Sequence, residues 1–254
     1  MIAAIDLTLI QATALAIGFF LGGFVKGGLG FAFPLIIIAI ATHFVTLDLV
    51  LAVVSVLQPC INIFQFANGG NMTATLIRLW PMILGLAIGA PIGAMLLPLV
   101  DRQILLLGVG LFIIAFVFWL QLRPTIHIPP RAETRVGGIA GIVAGMLGTL
   151  TTINGPIFVS YLLGLRVDRQ TMVSALGLLF FISGIFIAGS FLATGILNGE
   201  RFLISLGCAV PTVLGMWAGN YAVSRVPAEL FRKLVLVGLF LLGVNMTIRA
   251  AVNL

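Results

Sequence analysis

The sequence predicts an all-α polytopic membrane protein made of two inverted repeats. We expect about eight full transmembrane helices plus two glycine-rich broken or re-entrant segments, or up to ten counted passes. Three observations carry this prediction. Of the 254 residues, 61% are hydrophobic and only 8% are charged, and the mean hydropathy is +1.26, values that a water-soluble domain does not show. The charged residues lie at the ends of apolar segments, and the two halves of the chain share features in opposite orientation.

Six apolar segments are uninterrupted and long enough to cross a bilayer as single helices, which takes about 20 residues. They cover residues 47–66, 76–98, 103–121, 170–194, 202–222 and 230–249.

Two further apolar regions are too long for one straight helix. Residues 7–41 are interrupted only by Lys26 and are dense in glycine at 22–30, and residues 136–165 are broken by "GTLTTINGP" at 148–156. Each region predicts two short segments separated by a break, which is tolerated at membrane depth only where the backbone is buried in protein or lines a wet cavity.

The loop charges indicate how the broken regions run. If each region crosses once, the basic residues divide six against six between the two sides, which gives no orientation signal. If each region returns to its side of entry or crosses twice, the division becomes nine against three. The nine are Arg78, Arg123, Arg131, Arg135, Arg166, Arg169, Arg225, Arg232 and Lys233, and the three are Arg102, Arg201 and Arg249. The positive-inside rule therefore favours five segments per half, with both termini outside.

An odd number of segments per half makes the second half inverted. We predict a first membrane repeat over 1–121, a cytoplasmic linker over 122–135 and a second repeat over 136–254. Pro34 and Pro156 each follow a glycine-rich break, and "VGLF" occurs once near the end of each half. Both features are consistent with an inverted-repeat transporter architecture.

The first break supplies the first candidate substrate-binding residues, Lys26, Gly27, Gly28 and Gly30. Glycine lets backbone N–H groups approach an oxyanion closely, although glycines also allow tight helix packing. Every acidic residue lies at a segment end, so an anionic ligand would suit Lys26. The alternative is that Lys26 lies near an interface and snorkels.

The second break supplies five more candidates in an otherwise apolar run. They are Thr149, Thr151, Thr152, Asn154 and Gly155. Two helix ends facing each other near the midplane would form a site for a small anion. The alternative is that the threonine hydroxyls bond back to carbonyls of their own helix.

Gln58 and Asn62 complete the candidate set. They are four residues apart in a predicted helix and so share one face. They either line the substrate route or hydrogen-bond to another helix.

Several function classes find no support in the residues. Paired intramembrane aspartates, an HExxH helix and a Ser/His pair are all lacking in the sequence, so an intramembrane enzyme is disfavoured. The spacing of His43, His127, Cys60 and Cys208 predicts no metal site, and no cofactor is expected. The net charge of +6 follows from the orientation rule, so no nucleic-acid partner is predicted.

The chain resembles the TauE/SafE family of sulfite-exporter-like permeases over about residues 15–250. The resemblance rests on "GFFLGGFVKGGLGFAFPLIIIAI", on "GIAGIVAGMLGTLTTINGPIFVSYLLGL", and on "RVDRQ" followed by "TMVSALGLLFF". It implies export of small sulfur-containing anions, such as sulfite or organosulfonates, across a prokaryotic cytoplasmic membrane. Relatives usually have only glycine and apolar residues where this chain has Lys26. An anion channel and a carrier for small carboxylates remain alternatives, and the oligomeric state stays open.

Overall fold

The computed structural model describes residues 7–30, 32–67, 72–122 and 127–253. Within these ranges the chain forms ten α-helices and two 3-10 turns, without a β-strand. The helices are α1 Leu9–Leu29, α2 Phe33–Ala41, α3 Leu47–Ala67, α4 Met72–Leu96, α5 Arg102–Leu122, α6 Glu133–Thr151, α7 Gly155–Gly164, α8 Arg169–Ala193, α9 Gly199–Arg225 and α10 Ala228–Val252. The predicted all-α polytopic fold is confirmed, and in the described ranges seven helices (α1, α4, α5, α6, α8, α9 and α10) are long and apolar enough to cross a membrane.

The chain divides into two compact units, and neither is a half of the sequence. The first unit comprises Met1–Val53, Val100–Arg123 and Asn198–Leu254; the second comprises Val54–Leu99 and Pro124–Leu197. Each unit therefore combines helices from both predicted repeats. The predicted repeats, 1–121 and 136–254, are divisions of the sequence and do not coincide with these compact units. They stay a prediction.

In the first unit, α1 and α9 pack in parallel through glycines. The α-carbon of Gly23 lies against the backbone of Thr212, and that of Gly27 lies one turn further along against Met216. On α9, Gly215 and Gly219 lie against the backbone of α1 at Phe20 and Phe24. A methyl group at any of these glycines would overlap backbone atoms of the partner helix, so the small residues set the interaxial distance.

In the second unit, α4 and α6 pack in parallel in the same way. Gly85 and Gly89 approach the backbone of α6 around Ile142, while Gly141 and Gly145 approach the backbone of α4. In sequence, glycines follow Pro81 by four and eight residues, and the same spacing follows Pro211 in α9. This regularity is consistent with the predicted repeat.

Each broken region is a hairpin whose two ends lie together. Near the start of α1, Gln11 Nε2 donates to the carbonyl of Phe44, just after α2, at 3.2 Å. In the second unit the N–H of Ile128, ahead of α6, donates to the carbonyl of Gly164 at the end of α7, at 2.9 Å. Both regions therefore return to the end at which they enter, as the loop charges predicted.

The directions of α5 and α10 agree with this path. Gly110 lies against Thr247, and further along α5 the ring of Phe118 lies 5.8 Å from that of Phe240. The two helices are thus antiparallel, which requires an odd number of reversals between them. The hairpin of α6 and α7 supplies the extra reversal, since a single crossing there would make α5 and α10 parallel.

Candidate functional site

The first break lies later in the chain than its glycine content predicted. Helix α1 runs through 22–29 without interruption and ends at Gly30, which has φ 80° and donates its N–H to the Lys26 carbonyl at 2.7 Å. Ala32, also left-handed with φ 72°, precedes α2, and Pro34 stands in the first turn of α2. The expectation of two short segments is therefore wrong for the first arm, because α1 has 21 residues and is long enough to span.

The N-terminus of α2 lies well inside the length of α1. The ring of Phe33 is 6.0 Å from that of Phe19, and the Ile37 side chain packs on Gly22. At about 1.5 Å per residue, Gly22 is about 20 Å from the start of a helix about 30 Å long. Helix α2 therefore begins in the interior of the span rather than at its edge.

The predicted residues of the first break occupy different environments. Lys26 is only 4% exposed and lies in the last turn of α1, where a cation is favoured by the partial negative charge of the helix end. Gly27 and Gly28 are helical and pack against the Met216 backbone and the Phe231 ring. Helix packing thus accounts for these two glycines. Of the four predicted residues only Gly30 lies in the break itself, together with the left-handed Ala32.

The second break has the same backbone form. Helix α6 ends at Thr151, and Thr152 caps it with φ 54°. Thr149 Oγ1 donates to the Gly145 carbonyl at 2.9 Å, and Thr151 Oγ1 donates to that of Leu147 at 2.7 Å. These hydroxyls therefore bond to their own helix, the alternative that the sequence left open.

Helix α7 then begins at Gly155, with Pro156 in its first turn. Asn154 is its N-cap residue, but its side chain makes no capping bond. Asn154 lies beside Gly148, three residues before the end of α6, and the ring of Phe180 covers Gly155. The start of α7 is thus enclosed by α6 and α8 within the second unit.

Asn154 and Gln58 meet through a serine that the sequence analysis did not single out. Asn154 Nδ2 donates to Ser183 Oγ at 2.9 Å, and Gln58 Nε2 donates to the same oxygen at 3.1 Å. Ser183 Oγ in turn donates to the Phe180 carbonyl at 3.3 Å. Ser183 is 1% exposed in α8, and its only signal in the sequence is one hydroxyl within "LLFFISGIFIAG".

Both amides of this cluster keep an unused acceptor. Gln58 is 1% exposed and Asn154 is fully buried, yet no donor in the described parts of the chain reaches Gln58 Oε1 or Asn154 Oδ1. Buried carbonyl oxygens are normally paired, so each is a place where a ligand or a water molecule is favoured. Asn62 has another environment, since its Nδ2 donates to the backbone carbonyl of Gln58 at 2.6 Å.

The structure thus joins Gln58 and Asn154 into one buried cluster in the second unit, whereas Lys26 and Gly30 belong to the break of the first unit. His43 Nε2 is 2.9 Å from Asn245 Oδ1, and the described residues hold no group of three or more His, Cys, Asp or Glu that could bind a metal ion.

Ionic contacts lie at the helix ends. Arg78 and Glu133 form a two-pronged ion pair at the starts of α4 and α6, with Nη2 and Oε1 2.8 Å apart. Asp168 caps α8, and hydrogen bonds from the Thr171 side chain and backbone lower the pKa of its carboxyl group. These carboxylates stabilise helix ends, and neither break contains an Asp or a Glu.

The amino-acid sequence was also compared with protein families, curated proteins and solved structures. A family model described as "Sulfite exporter TauE/SafE" matches residues 14–246, which include both breaks and the buried cluster. No curated protein and no solved structure gives a significant match.

Proposed function

The chain belongs to the sulfite exporter TauE/SafE family, and from that premise we propose a finer function. The family makes the chain a multi-pass membrane transporter. We propose that its substrates are small sulfur-containing anions, such as sulfite or organosulfonates, and that it exports them across a prokaryotic cytoplasmic membrane.

One observation supports anion transport more than any other: two short helices begin inside the span. Both α2 and α7 start with proline in the first turn, a few residues after the left-handed residue that ends the preceding long helix. A helix N-terminus carries about half a positive charge and directs N–H groups outward, so it binds anions. Re-entrant ends of this kind form the substrate sites of transporters with inverted repeats.

Lys26 adds a cationic side chain to the first break. At 4% exposure it is enclosed by protein, which favours a role in the interior over snorkelling to the interface. We propose that Lys26 and Gly30 attract the anion in the first unit. In the second unit, Gln58, Asn154 and the start of α7 hold the ligand.

Two other classes of function give different expectations. A channel or a carboxylate carrier would use the same helix ends, but it would not discriminate sulfur oxyanions from acetate or malonate. An intramembrane enzyme would need a buried acid, base or metal ligand. Of these, the described residues at the two breaks offer only the Lys26 amine. They include no carboxylate and no group of three or more His, Cys, Asp or Glu, and this favours transport.

Neither break contains an Asp or a Glu, so the driving force need not pass through a carboxylate relay. An interior-negative potential favours anion efflux directly. Uniport therefore predicts that efflux from vesicles responds to an imposed potential. A strict dependence on the pH gradient, with no response to potential, would contradict uniport.

The substrate class is testable by a thermal-shift screen of the purified protein. Sulfite, thiosulfate, sulfoacetate, taurine and isethionate are compared with acetate and malonate at equal ionic strength. A ligand that binds the folded state raises its melting temperature by mass action. We expect stabilisation by at least one sulfur oxyanion and none by the carboxylates; equal shifts for both classes would favour the carboxylate carrier or channel.

Sidedness is tested separately. We propose that the linker 122–135 is cytoplasmic and that both termini are outside. Single cysteines introduced into the linker and near the C-terminus, in a chain free of Cys60 and Cys208, should label from opposite sides of the membrane. Labelling from one common side would contradict the nine-to-three assignment of charges.

A further inference from the structure

We propose that the site in the second unit selects an anion that itself carries a hydrogen-bond donor. Hydrogensulfite is one such ligand, and a sulfonate with a hydroxyl or ammonium group on a nearby carbon is another. This inference rests on the proposed function, because it specifies which sulfur oxyanions the transporter accepts.

The first step is the orientation of the two amides. Both side-chain nitrogens lie within hydrogen-bond distance of Ser183 Oγ, at 2.9 Å for Asn154 and 3.1 Å for Gln58. A serine hydroxyl has a single proton to donate. If one amide were flipped by 180°, its oxygen could accept that proton. The nitrogen of the other amide would still have to donate to Ser183 Oγ. At least one carbonyl oxygen is therefore left without a donor in every arrangement.

The second step is the position of those oxygens. The oxygen and nitrogen of an amide are about 2.2 Å apart, so both oxygens lie close to the Ser183 hydroxyl. Asn154 is also the N-cap residue of α7, without a capping bond from its side chain. The unused acceptors are thus placed beside the N-terminus of a ten-residue helix, in residues that are at most 1% exposed.

The third step is what this juxtaposition requires of a ligand. The start of α7 favours negative charge, whereas Asn154 Oδ1 and Gln58 Oε1 repel the oxygens of a fully deprotonated anion. A ligand that is anionic at one group and donates a proton from another satisfies both demands. A buried acceptor left unpaired disfavours an analogue that lacks the donor, which is how polar sites achieve strong discrimination.

A consequence concerns the proton. If sulfite is bound as hydrogensulfite, each exported anion carries its own proton, and no protein carboxylate is needed to move it. Binding of total sulfite should then weaken as the pH rises through the second ionisation of sulfurous acid. Methanesulfonate, which does not titrate in that range, should show no such trend.

The test compares isethionate with ethanesulfonate, which differ by one hydroxyl group, by titration calorimetry on the purified full chain. For the natural sequence we expect isethionate to bind about tenfold more tightly or better. Gln58→Met and Asn154→Leu should each lower that ratio, because each removes one of the two acceptors. Ser190→Ala is the matched control, since Ser190 is also a serine of α8 and its hydroxyl already donates to the Phe186 carbonyl at 2.8 Å, and it should leave the ratio unchanged.

The outcomes separate the inference from the function on which it rests. Equal affinity of the natural sequence for the two sulfonates overturns the inference while leaving anion binding intact. So does a ratio that neither variant changes, which would mean that the two oxygens hold ordered water. If neither ligand nor sulfite binds the natural sequence, the proposed function fails and the inference fails with it. Melting temperatures of all variants identify any that does not fold. If Asn154→Leu does not fold, Asn154→Ala replaces it, because alanine also lacks the acceptor and should lower the ratio in the same way.

Discussion

The two breaks share one backbone plan and differ in their side chains. In each, a long helix ends in a left-handed residue and a short helix begins with proline in its first turn. The first break carries the buried cation Lys26, and its short helix α2 is wholly apolar. The second has no charge, and its Asn154 shares the Ser183 hydroxyl with Gln58 of α3. Under the proposed function, the shared backbone geometry would supply the affinity for an anion, and the different side chains would give each break its own task.

The largest effect is expected from overfilling the tight glycine contact between α1 and α9, next to the first break. Gly27→Leu would drive side-chain atoms into the carbonyl of Met216. Because the obstacle is backbone, overpacking should destabilise the fold by about 1–3 kcal/mol or more. Size-exclusion profiles and melting temperatures of the detergent-solubilised protein measure this.

The matched control for that substitution is Gly207→Leu in α9, since a Cβ at Gly207 meets no atom within 4 Å. It should fold normally. A Gly27→Leu protein as stable as the control would show that α1 and α9 do not pack as described.

The next effect concerns the charge that distinguishes the two breaks. Lys26→Met removes the cation and keeps a similar length, so anion affinity should fall by about 1.5–3 kcal/mol, the range for a hydrogen bond to a charged group. Calorimetry with the best sulfur oxyanion from the screen measures the loss. Lys26→Arg, which keeps the charge, should retain more affinity than Lys26→Met; equal affinity of all three proteins would remove Lys26 from the site.

A smaller effect is expected at the second break. Asn154→Leu should weaken binding of an anion that carries a hydrogen-bond donor, such as isethionate, by about 0.5–1.5 kcal/mol, the value of one neutral hydrogen bond. Thr149→Val serves as its control, because the Thr149 hydroxyl is already used by the Gly145 carbonyl. We expect that control to bind like the natural sequence. A larger loss in Thr149→Val than in Asn154→Leu would reverse the roles assigned to these residues.

The smallest effect lies outside both breaks, at the cap of α8. The folded pKa of Asp168 is lowered from 3.8 by bonds from Thr171, so its stabilising contribution is present at neutral pH and is lost as the pH falls through the folded pKa. Asp168→Ala should therefore melt slightly below the natural sequence at neutral pH, and the difference should shrink on acidification. Asp168→Asn, which keeps a capping oxygen, should lie between them; a difference that grows in acid would contradict this sign.

The sequence allowed the course of the chain to be predicted better than its contacts. Segment lengths located the long helices to within a few residues, and loop charges predicted the return of both broken regions, because membrane thickness and charge asymmetry act on local sequence. The break after α1 was placed too early. Glycine weakens a helix by only about 1 kcal/mol, and close packing on α9 outweighs that at Gly23 and Gly27.

The candidate site was predictable only in part. A polar residue in an apolar run is visible in sequence, which is why Gln58 and Asn154 were named. Their joint partner Ser183 lies 29 residues from Asn154 and 125 from Gln58, and no periodicity connects such positions. Thr149 and Thr151 were visible for the same reason as Asn154, but their hydroxyls serve their own helix.

The central claim, export of small sulfur oxyanions through the two re-entrant breaks, is tested most directly by efflux of labelled sulfite from proteoliposomes with an imposed potential. The natural sequence should release sulfite faster than empty vesicles. Lys26→Met should slow that release at least tenfold while keeping its melting temperature. Release by Lys26→Met at the rate of the natural sequence, or no release above empty vesicles by a folded natural protein, would contradict the claim.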